Sequence, residues 1–282
     1  MAVDKLAARL LALADKYETA DFLAADPSQF MHRFCDPLDQ ELFAFVAAQL
    51  AFGKRELFIA KLNALYDAVM EGWPKTAGGK KTPPFARWLL DGGHKKFFPK
   101  SQKKFYRFFS YADMNALCGR LAEIVRQSGS LGEAVRAAYL GLAKGSGNAE
   151  SVAGGATCGL AKPCGISDSL RLVTALISLF PGQKCVSQNP KGACKKLHMF
   201  LRWMVRRGSP VDLGLWDWAS AADLLIPLDT HVLQESVRLG LIAPNAPASA
   251  KTAIELTQKM AIIFPGDPTR ADYALFGMGV SK

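Results

Sequence analysis

The sequence predicts an all-α protein. Segments whose apolar residues recur at helical spacing follow one another along the chain, and few stretches alternate with the period that marks a β-strand. Alanine and leucine, which favour helices, are plentiful. Half of the 282 residues are apolar and 21% are charged, so the chain can bury a large core and is globular rather than disordered.

Nine segments have the pattern of helices. In chain order they are 3–17, 39–52, 54–71, 112–127, 130–143, 166–180, 194–207, 230–239 and 249–263. Two stretches rich in small and turn-forming residues, 73–84 and 144–165, are predicted to be loops. No apolar segment reaches the roughly 18 residues of a membrane-spanning helix. The first helix mixes charges among its leucines, so we expect no signal peptide.

The six cysteines predict free thiols in a reducing cytoplasm. They occupy positions 35, 118, 158, 164, 185 and 194, form no CxxC pair and have no nearby histidines to complete a zinc site. A disulfide framework would be unusual in a chain of this length without a signal. The sequence also contains no Walker loop, GxGxxG or HExxH motif, which removes the usual support for nucleotide-fold and zinc-protease chemistry.

The net charge of +10 is concentrated in two stretches. Residues 73–109 hold ten Lys or Arg against one acid, with nine aromatics among them, and residues 191–207 hold six Lys or Arg and no acid. Such concentration indicates a polyanionic partner, with nucleic acid as the first candidate. The aromatic rings can stack on bases or pack beneath the lysine stems. A solvated basic surface without a partner is the alternative.

The segment 189–207, NPKGACKKLHMFLRWMVRR, predicts a turn followed by a helix. One side of this helix has the spacing of a buried apolar stripe. The opposite side carries Lys195, His198, Arg202 and Arg206. A lysine in the first turn lies at the positive end of the helix dipole, which disfavours an ammonium ion, and a neutral lysine amine is a nucleophile. The alternative is a solvated basic helix face.

A second segment, ADLLIPLDTHVLQESVRLG at 222–240, places a carboxylate where a buried apolar run becomes a helix. Asp229 or Thr230 can cap this helix. A carboxylate at the same position can also assist a nucleophile that comes from another part of the chain. The two roles are compatible, because one carboxylate has two oxygens.

Taken together, these two segments resemble the helix-hairpin-helix DNA glycosylases. In that superfamily a lysine attacks the sugar of a damaged nucleotide, and an aspartate follows in a Pro-x-Asp-x-His context. The matching residues are Lys195 and, in IPLDTHV, Asp229. Their wide separation is similar to that in the archaeal 8-oxoguanine glycosylases. Over nearly the whole chain the sequence resembles the bacterial family DUF2400, through the stretches ACKKLHMFLRWMVRR, VDLGLW, IPLDTHV and DYALFGMGV.

The resemblance implies a two-lobed helix-hairpin-helix glycosylase-like fold with the active-site cleft between the lobes. Residues 1–282 would form one unit, with 35–215 as the middle lobe and 1–34 plus 216–282 as the second lobe. Lys195 and Asp229 should then face each other within about 10 Å, because catalytic groups must converge on one reacting atom. The hairpin reads NPKGAC where most such glycosylases read like LPGVGxK.

The resemblance also implies a set of binding residues. The base pocket would include Gln49, from QLAFGKRELF, with Met199, Asp272 and Phe276. The DNA-binding residues would be Lys54, Arg55, Lys103, Lys104, Lys191, Lys196, Arg202, Arg206 and His231. No metal or cofactor is needed, and no four-cysteine loop follows Asp229 that could hold an iron–sulfur cluster. We expect a monomer that binds damaged duplex DNA in the bacterial nucleoid, with no membrane association.

The function so implied is that of a DNA base-excision repair N-glycosylase with AP lyase activity, acting on an oxidised purine such as 8-oxoguanine. Lys195 would be the nucleophile and Asp229 its assistant. A non-catalytic nucleic-acid binder is the alternative, in which Lys195 is one phosphate contact among several. A structural or partner-binding helical protein is a further alternative. The presence of both residues in matching contexts favours the enzyme.

Overall fold

The computed structural model describes residues 2–71, 84–145 and 166–280, and in these ranges it is predominantly helical. The α-helices are α1 (Ala2–Tyr17), α2 (Pro37–Leu50), α3 (Arg55–Glu71), α4 (Pro84–Leu90), α5 (Gly93–Phe97), α6 (Tyr111–Ser128), α7 (Leu131–Gly145), α8 (Ile166–Ser178), α9 (Lys195–Val205), α10 (Thr230–Arg238), α11 (Ala250–Ile263) and α12 (Ala271–Val280). The all-α class is confirmed, and each of the nine predicted segments forms a helix. The predicted loops at 73–84 and 144–165 lie almost entirely outside the described residues.

Short elements that periodicity did not predict complete the described part. Strands β1 (Lys104–Tyr106) and β2 (Phe109–Ser110) form an antiparallel hairpin within the basic, aromatic stretch. The 3-10 helices are Ala20–Ala25, Pro27–Arg33, Ala221–Asp223 and Pro268–Arg270. Among the described helices, none combines the length and the apolar character needed to cross a membrane.

Side-chain caps explain where several helices begin. The Asp36 carboxylate accepts the Leu38 N–H at 2.9 Å before α2, whose first residue is proline. Ser110 forms a capping box with Asp113 at the start of α6. Ser249 accepts the Thr252 N–H at 3.3 Å before α11. These oxygens satisfy backbone donors that the first turn of a helix leaves without intrahelical partners.

Buried apolar side chains form two clusters with different compositions. The first draws on residues between 30 and 224 and is rich in aromatic rings, including a stacked pair of Phe45 and Phe180 with centroids 4.6 Å apart. The second is mostly aliphatic and combines Leu10 and Ala14 with side chains between 225 and 278. We refer to these as the first core and the second core.

Helix α9 belongs to the first core and is linked to the second by charges. Phe200 packs edge-on against Phe45 of α2, with ring centroids 5.0 Å apart. Arg202 of α9 and Arg206, which caps its C-terminal end, form ion pairs with carboxylates that follow α1, follow α9, or lie just before or within the first turn of α12. We call this set the arginine network: Arg202, Arg206, Glu18, Asp212, Asp267 and Asp272. Helix α9 therefore joins the first core to segments that carry the second core.

Candidate active site

The turn before α9 is closed by hydrogen bonds between its own residues. The Gly192 N–H donates to the Asn189 carbonyl at 3.1 Å, and the Lys191 N–H donates to Asn189 Oδ1 at 3.0 Å. Cys194 ends the turn at φ 42°, a left-handed conformation uncommon for a residue with a side chain. The Ala250 N–H of α11 donates to the Lys191 carbonyl at 3.1 Å. The turn, and with it the first residue of α9, is thus fixed to both cores.

Lys195 and Asp229 meet where α9 and α10 begin. Asp229 Oδ1 accepts the Val232 N–H at 2.8 Å and so caps α10. The other oxygen, Oδ2, lies 3.9 Å from Lys195 Nζ. This distance exceeds that of a hydrogen bond, so the two charges pair without one. The side chains are 29% and 16% exposed, and both can be reached from outside.

Asp272, a predicted base-pocket residue, belongs to the same electrostatic site. It lies in the first turn of α12, is buried, and accepts a hydrogen bond from Arg202 Nη1. Burial raises the pKa of Asp272 to about 7, Arg202 opposes this shift, and the charge of Asp229 adds to it. The charge of Lys195 also acts on Asp272, in the lowering direction. The three groups are therefore electrostatically coupled.

The next lysine has a different environment. Lys196 Nζ donates to the backbone carbonyls of Gln49 at 3.2 Å and Cys185 at 3.1 Å. It also lies 5.2 Å from the ring centroid of Phe52 and 5.0 Å from that of Phe109. Burial lowers the pKa of Lys196 to about 8. The ammonium group already donates to two protein carbonyls, and the predicted contact of Lys196 with DNA phosphate stays a prediction.

The predicted exposed basic face of α9 is wrong at Arg202 and Arg206. Both side chains are 3% exposed and enclosed in the arginine network. Burial disfavours the charge of Arg202, yet the carboxylate of Asp212 in particular raises its pKa above the ordinary value. His198, on the same side, is buried as well, and burial lowers its pKa to about 4. These groups cannot reach a DNA phosphate.

The remaining predicted pocket residues differ in their burial and in their contacts. Gln49 is fully buried, and its side-chain amide has no hydrogen-bond partner among the described residues. Met199 is buried one helical turn after Lys195. The ring of Phe276 lies edge-on to that of the exposed His231, with centroids 6.1 Å apart. The structure therefore brings Asp272 to the Lys195–Asp229 pair and joins Gln49 to α9 through Lys196.

The other predicted DNA-binding residues lie on the surface. They are Lys54, Arg55, Lys103, Lys104 and Lys191, all exposed. Sequence reasoning missed two neighbours, Arg107 and Phe108, which form the turn of the β1–β2 hairpin and are also exposed. The only signal for them was the alternation of lysines and aromatics in KKFYRFF.

A cavity of about 360 Å³ lies away from the lysine–aspartate pair. Its lining includes the carboxylates of Asp36, Glu41, Glu133 and Asp217, together with Trp216. Glu41 is buried and accepts the N–H groups of Leu131 and Gly132, both at 2.8 Å, at the start of α7. Acidic walls would repel a polyanion, so this cavity does not suit nucleic acid.

Disulfide bonds and metal sites have no support in the described ranges. Cys35, Cys118, Cys185 and Cys194 are free thiols, while Cys158 and Cys164 lie outside those ranges. Within 2–71, 84–145 and 166–280, no group of three or more His, Cys, Asp or Glu is arranged to hold a metal ion.

Comparison with known proteins identifies a family and nothing finer. A family described as "Protein of unknown function (DUF2400)" matches residues 26–281. No curated protein matches the chain, and no solved structure does.

Proposed function

The chain belongs to the DUF2400 family, and we propose that it is a DNA base-excision repair N-glycosylase with AP lyase activity. Lys195 is the nucleophile and Asp229 assists it. The observation that carries the proposal is the accessible pair of Lys195 and Asp229, whose Nζ and Oδ2 atoms lie 3.9 Å apart on two different helices. A nucleophilic amine beside a carboxylate that is oriented by its own helix is the arrangement this chemistry needs.

The reaction begins when the damaged nucleotide leaves the duplex stack and its C1′ atom reaches Lys195. The neutral amine attacks C1′, the glycosidic C–N bond breaks, and its electron pair leaves with the base, which takes up a proton. Asp229 accepts a proton from the lysine nitrogen, and its charge stabilises the positive charge that develops on the sugar. Because Oδ1 caps α10, Oδ2 keeps a fixed position for this task.

The same adduct leads to strand cleavage. Opening of the sugar ring, with proton uptake by the ring oxygen, converts the adduct into a Schiff base between Lys195 and C1′. Removal of a C2′ proton then expels the 3′ phosphate by β-elimination, and hydrolysis of the Schiff base frees the lysine. Each of these steps uses groups of the chain, the DNA and water.

An oxidised purine such as 8-oxoguanine is the lesion we propose. Support comes from Gln49, because a buried amide that lacks hydrogen-bond partners in the described residues is costly unless a ligand supplies them. An amide presents both a donor and an acceptor, which matches the edge of a purine base. Damaged duplex DNA as partner is further supported by the exposed cations on α3 and the β1–β2 hairpin.

The decisive experiment is reduction of the Schiff base with borohydride. Wild-type protein mixed with duplex DNA that carries 8-oxoguanine or an abasic site should yield a covalent protein–DNA adduct on a denaturing gel. Lys195→Gln should give no adduct and should keep most of its DNA affinity, because one cation of many is lost.

Lys196→Met is the matched control. The ammonium group of this neighbour is held by two backbone carbonyls and two aromatic rings, so its replacement should leave the adduct in the folded fraction. An adduct that persists in Lys195→Gln and disappears in Lys196→Met would move the nucleophile by one residue. Absence of any adduct with wild-type protein would favour a non-catalytic nucleic-acid binder, in which the same exposed cations hold DNA.

A further inference from the structure

The tip of the β1–β2 hairpin presents an exposed aromatic ring. Phe108 is 58% exposed, and among the large hydrophobic side chains that are exposed in the described ranges it is the only aromatic one. Arg107, before it, adopts φ 49° in the left-handed region, which turns the chain so that Phe108 stands at the tip. A large apolar ring in water has an unfavourable hydration free energy, so covering it with a binding partner is favourable.

The Phe108 ring is held in place by contacts with its neighbours. It stacks on Phe52, with centroids 4.9 Å apart and an interplanar angle of 25°. The Tyr106 hydroxyl donates to the Phe52 carbonyl and so ties the hairpin to the connection between α2 and α3. Phe109, next in the strand, is buried beneath it. A ring that is already ordered loses little conformational entropy when it binds a second flat surface.

The surroundings of the ring are cationic. We define the basic hairpin surface as Lys54, Arg55, Lys103, Lys104, Arg107 and Phe108, all exposed. In the stretches 52–56 and 103–108, five cations stand against one acid, Glu56. The stretches touch, since a Cβ atom on Gly53 would come within 3.0 Å of the Arg107 side chain. Such charge favours a phosphate backbone over an apolar protein partner.

The same ring system connects to the candidate active site. Phe52, beneath Phe108, has its ring centroid 5.2 Å from Lys196 Nζ, and Lys196 adjoins the proposed nucleophile in the chain. Phe52 thus lies between the basic hairpin surface and the segment that carries the proposed nucleophile.

We propose that Phe108 stacks on a nucleobase of bound DNA that loses its stacking neighbour when the target nucleotide turns out of the helix. The proposal rests on the proposed function, because it requires DNA at Lys195. Stacking of an aromatic side chain on a base tolerates any sequence, since every base has a π-face. Phe108 thereby holds the opened site while the surrounding cations hold the backbone.

The test uses a duplex with a non-cleavable abasic-site analogue, tetrahydrofuran, and 2-aminopurine as the adjacent base. Phe108→Ala should weaken DNA binding roughly tenfold, since the loss of one base stacked on an aromatic side chain reduces the binding constant by about that factor. The change in 2-aminopurine fluorescence on binding should be lost as well, while the slope of log K against log salt stays the same. Phe108→Trp should restore both signals.

Two controls separate stacking from other effects. Leu140→Ala removes an apolar side chain that is 51% exposed on α7 and should bind as wild type does. Replacing both Lys103 and Lys104 by Gln should reduce the salt slope by about two units, because each lost phosphate contact removes about one, yet leave the fluorescence change in place. Phe108→Ala that binds and responds as wild type overturns the stacking proposal even if Lys195 forms its adduct. Stacking signals without an adduct uphold the contact of Phe108 with DNA and overturn Lys195 as the nucleophile.

Discussion

The two ends of α9 both carry ion pairs, and the pairs differ in how completely their charges are enclosed. At the C-terminal end, Arg206 is 3% exposed and contacts Asp212, Glu18 at 2.8 Å and Asp267 at 2.7 Å. At the N-terminal end, Lys195 is 29% exposed and lies 3.9 Å from Asp229. The arginine network satisfies its charges within the protein, whereas the lysine–aspartate pair leaves hydrogen-bonding capacity unused.

The degree of charge pairing differs between residues that stabilise the fold and residues that are suited to catalysis. A buried charge must be fully paired, because removing it from water costs several kcal/mol. A catalytic group needs interactions that are completed only when substrate arrives, since interactions made equally in both states do not accelerate the reaction. The loosely paired end of the helix is therefore the end at which we place catalysis.

The largest effect should come from breaking the network. Arg206→Gln should reduce the free energy of unfolding by about 3–5 kcal/mol, because buried carboxylates lose the charge that compensates them. Urea denaturation measures this loss. Arg207→Gln, at the exposed neighbour, should stay within about 0.5 kcal/mol of wild type. A loss below about 1 kcal/mol in Arg206→Gln would mean that the network does not stabilise the fold.

The next effect should be on chemistry alone. Asp229→Asn keeps an oxygen to cap α10 but removes the charge beside Lys195, so stability should change little. Base release under single-turnover conditions should slow about 10²-fold or more, because the lost interaction acts on the transition state. Asp223→Asn, in the preceding 3-10 helix, is the control for charge. Wild-type rates in Asp229→Asn would reduce Asp229 to a helix cap.

A smaller effect concerns His198, which lies on α9 between the two ends and has Nε2 without a partner in the described residues. Burial lowers its pKa from 6.5 to about 4. Between these values the His198 side chain is protonated in the unfolded chain and neutral in the folded chain. The free energy of unfolding therefore decreases as pH falls from about 6.5 to 4. The slope contributed by this group should approach about 1.4 kcal/mol per pH unit.

The measurement is the difference between wild type and His198→Met in free energy of unfolding across that pH range. Burial raises the pKa values of Asp39 and Asp272 to about 7. These two groups therefore lower the free energy of unfolding as pH rises, which is opposite to the effect of His198. Their contribution is common to both proteins and cancels in the difference. Parallel curves for the two proteins would exclude His198 as a source of acid sensitivity.

The smallest effect on stability should come from the pair itself. Lys195→Met should change the free energy of unfolding by less than about 1 kcal/mol, because partly exposed ion pairs contribute little. Measured beside Arg206→Gln in urea, it compares the two ends of one helix directly. A loss as large as that of Arg206→Gln would make Lys195 a structural residue.

The sequence was sufficient for nine of the twelve described α-helices, and the resemblance to glycosylases led us to expect Lys195 beside Asp229. Apolar periodicity located the nine segments, and local chemistry located the cap at Asp229, because both depend on neighbours in the chain. The β1–β2 hairpin escaped because its strands have only three and two residues, too few to show a period.

The interior of α9 could not be predicted in this way. A helix with one apolar stripe is expected to expose its charged side, and Arg202 and Arg206 were placed there for that reason. The structure covers that side with carboxylates from distant segments, among them Glu18 and Asp267. Pairing over such separations leaves no trace in local spacing, so burial of these arginines requires the three-dimensional arrangement.

The second core joins segments that are far apart in the sequence. Helix α1 packs on α12, where the Tyr17 ring occupies the space that a Cβ on Gly277 would need, and Arg270 pairs with Asp15, 255 residues earlier. Closing so long a loop has an entropic cost and slows folding. The first core draws only on residues 30 to 224, whereas the second core needs Leu10 and Ala14 beside residues 225 to 278. The part of the fold around Asp229 and Asp272 therefore depends on a long-range closure that the part around Gln49 does not need.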